Sequence, residues 1–112
     1  MTARKFRNLA LALPEAVEAA HMGHPDFRVR GKIFATLGPK ADWGMVKLTV
    51  AQQALFVAAA PGVFAPATGA WGRQGSTIVT LGDAELATVR RALLLAWRNT
   101  APKSLLQAHN QE

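Results

Sequence analysis

The sequence predicts a two-layer α+β domain, and three observations point to it. Apolar residues recur at helical spacing near both ends of the chain. Between them the period drops to two from Asp26 onward. The turns separating these period-two segments are too short for a parallel crossover, so the strands they join are antiparallel. We expect an antiparallel β-sheet of about four to five strands, flanked by N-terminal, middle and C-terminal helices, in one domain over residues 1–103. Residues 104–112 are expected to form a frayed polar tail.

Residues 3–13 place Phe6, Leu9, Ala10 and Leu13 at i, i+3, i+4 and i+7, with Arg4, Arg7 and Leu11 opposite. Pro14 ends this helix or opens a short turn through "PEAVEAA", and Gly23 and Pro25 stop any helix that follows. From Asp26, Phe27 and Val29 point one way and Arg28 and Arg30 the other. If "RGK" (30–32) is a three-residue loop, Val29 pairs with Ile33, and Phe27, Val29, Ile33, Ala35 and Leu37 share one face. A two-residue loop would move Ile33 onto the arginine face, so the three-residue loop is expected. It leaves Arg30 and Lys32 at an exposed hairpin tip. "GPKAD" is a turn, and "WGMVKLTV" a strand with Val46 and Leu48 inward and Lys47 outward.

Thr49 and Gln52 form the pattern of a capping box for a middle helix, whose apolar side is Leu55 with its neighbouring alanines, and Pro61-Gly62 ends it. "VFAPATGAWGRQG" is a structured loop, and "STIVTL" a strand with Val79 and Leu81 on one face. Asp83 is the expected cap of the last helix, on which Leu86, Val89, Leu93, Ala96 and Trp97 fall within an arc of roughly 100°.

Composition narrows the function classes. The 112 residues hold 13 Lys and Arg against 7 Asp and Glu, a formal charge of +6 that suits a polyanionic partner. With no cysteine there are no disulfides, thiolate chemistry or cysteine-ligated metals. No apolar run approaches the ~20 residues that cross a bilayer. The short "LALAL", followed by Pro14, Glu15 and Glu18, suits an amphipathic helix better than a leader. The expected location is cytoplasmic.

Three constellations carry the functional reading. His21, His24 and Asp26 have the residue types of a metal or acid–base site, but Gly23 and Pro25 deny the two histidines a shared helix. They read as a turn into a strand, with no metal and no cofactor expected. No nucleophile elbow or phosphate-binding glycine loop is present; "GAWGRQG" lacks the lysine and hydroxyl of a Walker motif. A non-enzymatic protein is expected.

The basic groups cohere better: Arg28, Arg30 and Lys32 on one hairpin, Lys40 and Lys47 on or near the next strand, and Arg73 in the glycine-rich loop. They read as phosphate contacts or as a cationic sheet face that resists edge aggregation, and alternation does not separate the two. Trp43 and Trp71 either stack on bases or close the core around glycine turns. Arg91, Leu95 and Arg98 lie away from the apolar arc of the last helix, a face suited to a second copy of the chain. An alternative is a protein-interaction or small-ligand module using the open sheet face, with His21, His24 and Trp71 as contacts. Whether the Arg28 face is covered discriminates.

Taken in order, "HMGHPDFRVRGKIFATL", "WGMVKLTV", "WGRQGSTIVTL" and "LLLAWRNTAP" resemble the MmcQ/YjbR family of small bacterial proteins over nearly the whole chain. The resemblance implies an antiparallel sheet flanked by helices. It also implies DNA binding, sometimes through two β-wing-like hairpins, with no catalytic set to carry over. The family often has an aromatic after the second glycine of its "WGxxG" segment, where this chain has Ser76. The leading expectation is a DNA-binding protein that contacts phosphates through Arg28, Arg30, Lys32, Lys47 and Arg73.

Overall fold

In the computed structural model, which describes residues 1–110, Thr2 caps helix α1 (Ala3–Leu11) by accepting from the Lys5 N–H. Six strands follow with helices between them: β1 (Ala16–His21), β2 (His24–Val29), β3 (Lys32–Leu37), β4 (Trp43–Lys47), α2 (Val50–Ala59), β5 (Phe64–Pro66), α3 (Ala70–Arg73), β6 (Ser76–Thr80), α4 (Leu86–Thr100) and α5 (Lys103–Asn110). The strands pair antiparallel in the order β1-β2-β3-β4-β6-β5. The fold is α+β, as the alternation and the short turns require, with more strands than expected.

The two N-terminal hairpins share one turn chemistry. Met22-Gly23 and Arg30-Gly31 each have two successive positive φ values, 50° and 85° in the first and 50° and 81° in the second. That is the two-residue turn whose twist matches its strands. The three-residue "RGK" loop is therefore corrected: Val29 pairs with Lys32, and Arg28 with Ile33. Ile33 does move onto the arginine face. Apolar burial survives because β3 carries a bulge: Phe27 faces Ala35, and the extra residue, Phe34, is buried as well.

On the inner face, Phe27, Val29, Phe34, Ala35, Leu37, Val46 and Val79 meet Phe6 and Ala10 of α1 and Val89, Leu93, Ala96 and Trp97 of α4. Each large side chain buried there stabilises the fold by roughly 1.5–3 kcal/mol. The Trp97 indole N–H donates to the Pro14 carbonyl at 2.9 Å, which ties α4 to the end of α1.

Four further expectations are corrected. Asp83 does not cap α4; Glu85 occupies that position, without a side-chain hydrogen bond. Leu86 is exposed, because α4 begins there, outside the buried arc. On α2, Leu55 is exposed while Phe56 and the polar Gln53 turn inward. Residues 103–110 form a helix that buries Leu105, in place of a frayed tail from 104; Gln111 and Glu112 lie outside the described residues. Among the described residues, no helix is long and apolar enough to cross a membrane.

Candidate nucleic-acid interface

Strand registers define what the other face of the sheet presents. One row runs across it as Asp26, Thr36, Met45, Ile78 and Ala65, each the partner of the next. Two residues along toward the Arg30-Gly31 turn, the same face carries Arg28 beside Ile33, then Lys47 beside Ser76. Two residues the other way it carries His24, with His21 as its partner on β1, and Trp43, partnered by Thr80. These rows border two depressions. A groove of about 410 Å³ is lined by His21, His24, Thr36, Trp43, Met45, Trp71 and Ile78, with Lys47 at one side. A second, of about 480 Å³, gathers Arg28, Lys32, Lys47 and Asn99. Helix α3 stands at the groove's margin through Trp71, and Asn99 and Thr100 at the end of α4 border the second depression.

Asp26 organises the boundary between the two depressions. Its carboxylate is fully buried and accepts three hydrogen bonds: Arg28 Nε at 2.7 Å, Arg28 Nη2 at 3.0 Å and His21 Nδ1 at 2.7 Å. The Arg28 bonds hold the carboxyl below the usual aspartate range, against the opposing effect of burial, and His21 reinforces them. In return Asp26 raises the Arg28 guanidinium. Arg28 is thus fixed in a fork geometry, its side chain still 31% exposed, with donors left over beyond the two that Asp26 engages.

At the hairpin tip, Arg30 makes two bonds to Glu15, at 2.6 and 2.9 Å, across the turn before β1. That pair is solvent-exposed and correspondingly weak. Lys32 and Lys47 have no carboxylate partner among the described residues. Arg73 is exposed on α3, two residues past Trp71.

Two glycines and a glutamine place the tryptophans. A Cβ at Gly38 would meet the Trp43 ring at 2.3 Å, so glycine there lets the indole lie across that backbone. Gln53, buried on α2, donates Nε2 to the carbonyls of Gly72 and Ser76 at 3.0 Å each, pinning both ends of the turn that follows Trp71. Gly75, at φ 113°, brings that turn so close to Leu48 that a Cβ would sit 2.0 Å from its carbonyl oxygen. Trp71 itself remains 66% exposed.

The rings of His21 and His24 lie 4.8 Å apart between centroids, tilted by 59°, and the His24 Nδ1 is buried with no hydrogen-bond partner among the described residues. No cluster of three or more His, Asp or Glu able to hold a metal ion occurs among the described residues. The structure thus brings Arg28, Lys32 and Lys47 together, and His21, His24 and Trp71 around the neighbouring groove, while Arg30 and Arg73 stand outside both linings. On α4, Arg91 and Leu95 border a separate groove of about 570 Å³ with Leu55, Phe56 and Val63 of the α2 side; Leu95 is half-buried and Arg98 exposed.

The sequence offers Asp26 as a residue that orients an imidazole, as it does for His21, but its hold on Arg28 was missed, although a spacing of two on a strand puts both on one face. Gln53 left no signal beyond a polar residue within an apolar helix.

The sequence model of the YjbR family matches residues 11–99. No curated protein matches the chain. Among solved structures, the chain is similar to the crystal structure of the Deinococcus radiodurans protein DR2400, of domain type DUF419. The two share 16% identity at a TM-score of 0.72, over 86% of this chain and 75% of that one.

Proposed function

The chain belongs to the YjbR family, and from the layout of its open sheet face we propose that it binds DNA non-enzymatically through phosphate contacts. The observation that carries this reading is the depression shared by Arg28, Lys32 and Lys47: two lysines without carboxylate partners among the described residues, beside a guanidinium fixed in place. Three cations and one carboxylate leave that cluster with positive charge, and cations that displace the counterions condensed on phosphates gain affinity regardless of sequence. Arg73 stands outside this depression. Arg30 joins only by exchanging Glu15 for a phosphate, a small penalty at an exposed pair.

A titration of labelled DNA across salt concentrations tests the proposal. Three to four phosphate contacts give a slope of log K against log salt of about −2 to −4, the single-stranded value being the shallower. Weak binding with a flat salt response would overturn it. The groove favours a second reading, a module for a small planar anion. Such a module would bind a mononucleotide as tightly as a 12-mer, whereas a phosphate-tracking surface gains with length.

A further inference from the structure

We infer that the groove beside the cationic depression receives an unpaired nucleobase, so that the strand held on this face is single rather than duplex. The inference rests on the phosphate reading above and deepens it. The groove and the depression are not separate features, because Ile33 and Lys47 line both. Its floor is apolar, with Met45 and Ile78 partnered across β4 and β6, and its walls include Trp43 and the exposed Trp71. The hydroxyls of Thr36, Thr68 and Ser76 and the imidazoles of His21 and His24 supply polar groups around that floor. A cavity of about 410 Å³ lies within the ~300–1,000 Å³ span of small-molecule sites.

Charge decides the occupant. An aromatic-walled groove alone would suit many apolar groups, but this one opens at Lys47 onto three cations. A ligand filling both depressions is therefore planar and apolar at one end and anionic at the other. A nucleotide of a flexible strand has that polarity. A base held in a duplex does not expose its face, and extruding it costs unstacking energy that a single strand does not incur. Trp71 is held for this role: Gln53 and Gly75 fix its turn from behind and leave the indole on the surface.

The test compares fluorescein-labelled oligo-dT of 12 nucleotides with an abasic strand of the same length and charge. Both are titrated onto the full chain and onto Trp71→Ala and Trp71→Phe. The expected result is that oligo-dT binds roughly 5- to 150-fold tighter than the abasic strand, the range for stacking of a base on an aromatic side chain. Trp71→Ala should abolish that ratio, and Trp71→Phe should restore most of it. Because Trp71 is exposed, circular dichroism should show both variants folded. Equal affinity for the two strands, or a ratio that survives Trp71→Ala, overturns the base-binding inference and leaves the phosphate reading standing. Failure of both strands to bind overturns both.

Discussion

Asp26→Asn isolates the charge at the centre of the site. The substitution keeps the side chain's shape, so no cavity opens, but it replaces a carboxylate that accepts three hydrogen bonds with an amide that is half donor. Bonds to charged groups contribute about 1.5–3 kcal/mol net and neutral ones about 0.5–1.5, and breaking a fully buried pair costs about 3–5 kcal/mol. The upper figure does not apply here. Arg28 is 31% exposed and His21 40%, so both partners regain hydration when the carboxylate goes. We expect a loss of about 2 kcal/mol at pH 7, or about 8 °C in Tm at about 4 °C per kcal/mol for a domain of this size.

The pH dependence fixes the mechanism. Arg28 holds the Asp26 carboxyl below its ordinary value of 3.8 in the folded state. A depressed folded pKa stabilises above the unfolded pKa, and that contribution is lost as the pH falls through the folded value. The gap in Tm between wild type and Asp26→Asn should stay near its full size from pH 7 to about pH 5. It should then close below 3.8 as the wild-type carboxyl takes up its proton. Thermal melts followed by circular dichroism between pH 7 and pH 2.5 measure it. A gap that persists undiminished at the acid end would show that geometry rather than charge stabilises the site, and no gap at pH 7 would remove Asp26 as its organiser.

The same variant adds one net positive charge to the binding face and frees Arg28, so affinity for single-stranded DNA should rise at low salt and the salt slope steepen by about 0.7; an unchanged slope would mean Arg28 meets no phosphate. Lys32→Ala and Lys47→Ala should each weaken binding to all sequences alike and flatten that slope by about the same amount, and sequence-dependent losses would contradict a backbone contact. Gly75→Ala should destabilise far more than Gly31→Ala in urea denaturation. Both have positive φ, but a Cβ at Gly75 collides with the Leu48 carbonyl at 2.0 Å while one at Gly31 meets open space. Trp97→Ala, which empties a fully buried site and orphans the Pro14 carbonyl, should cost about 3–5 kcal/mol; under 1 kcal/mol would displace Trp97 from the centre of the core.

The parts of the fold visible in the sequence are those where a single period governs. Phe6 with Ala10, Phe27 with Val29, and Val89 with Leu93 lie buried as their spacings require. Strand β1 escaped because four of the six residues of "AVEAAH" are alanine or glutamate, good helix formers, and it lies at the sheet edge, with Val17 exposed on the outer face. Its signal was the turn: an X-Gly pair at 22–23 and another at 30–31 mark two successive hairpins. The register of β3 escaped because parity assumes an unbroken ladder. The bulge at Phe34 lets a two-residue turn coexist with an apolar inner face, and no count of alternation reveals it. At the site, the basic residues were legible as a set, but their states were not. Whether an arginine is free depends on which carboxylate the fold brings within 3 Å, and Glu15 reaches Arg30 only because β1 exists.

Strands β2 and β4 together give the face its direction. Along β2 the outward side chains run Arg28, Asp26, His24; along β4 they run Lys47, Met45, Trp43. Each passes from a cation to an aromatic ring in the same sense, in steps of two residues, or about 7 Å. An ordinary solvated sheet face needs no such agreement, since cations scattered in any row would keep it soluble and unaggregated. Asp26 fits the same ordering: it lies between the row that would meet phosphate and the row that would meet a base. Its three bonds fix Arg28 on one side and His21 on the other, while Lys32 and Lys47 are point charges with no carboxylate partner among the described residues. A surface that fixes its boundary and leaves its lysines loose suits a strand whose phosphates vary in position more than its stacked base does.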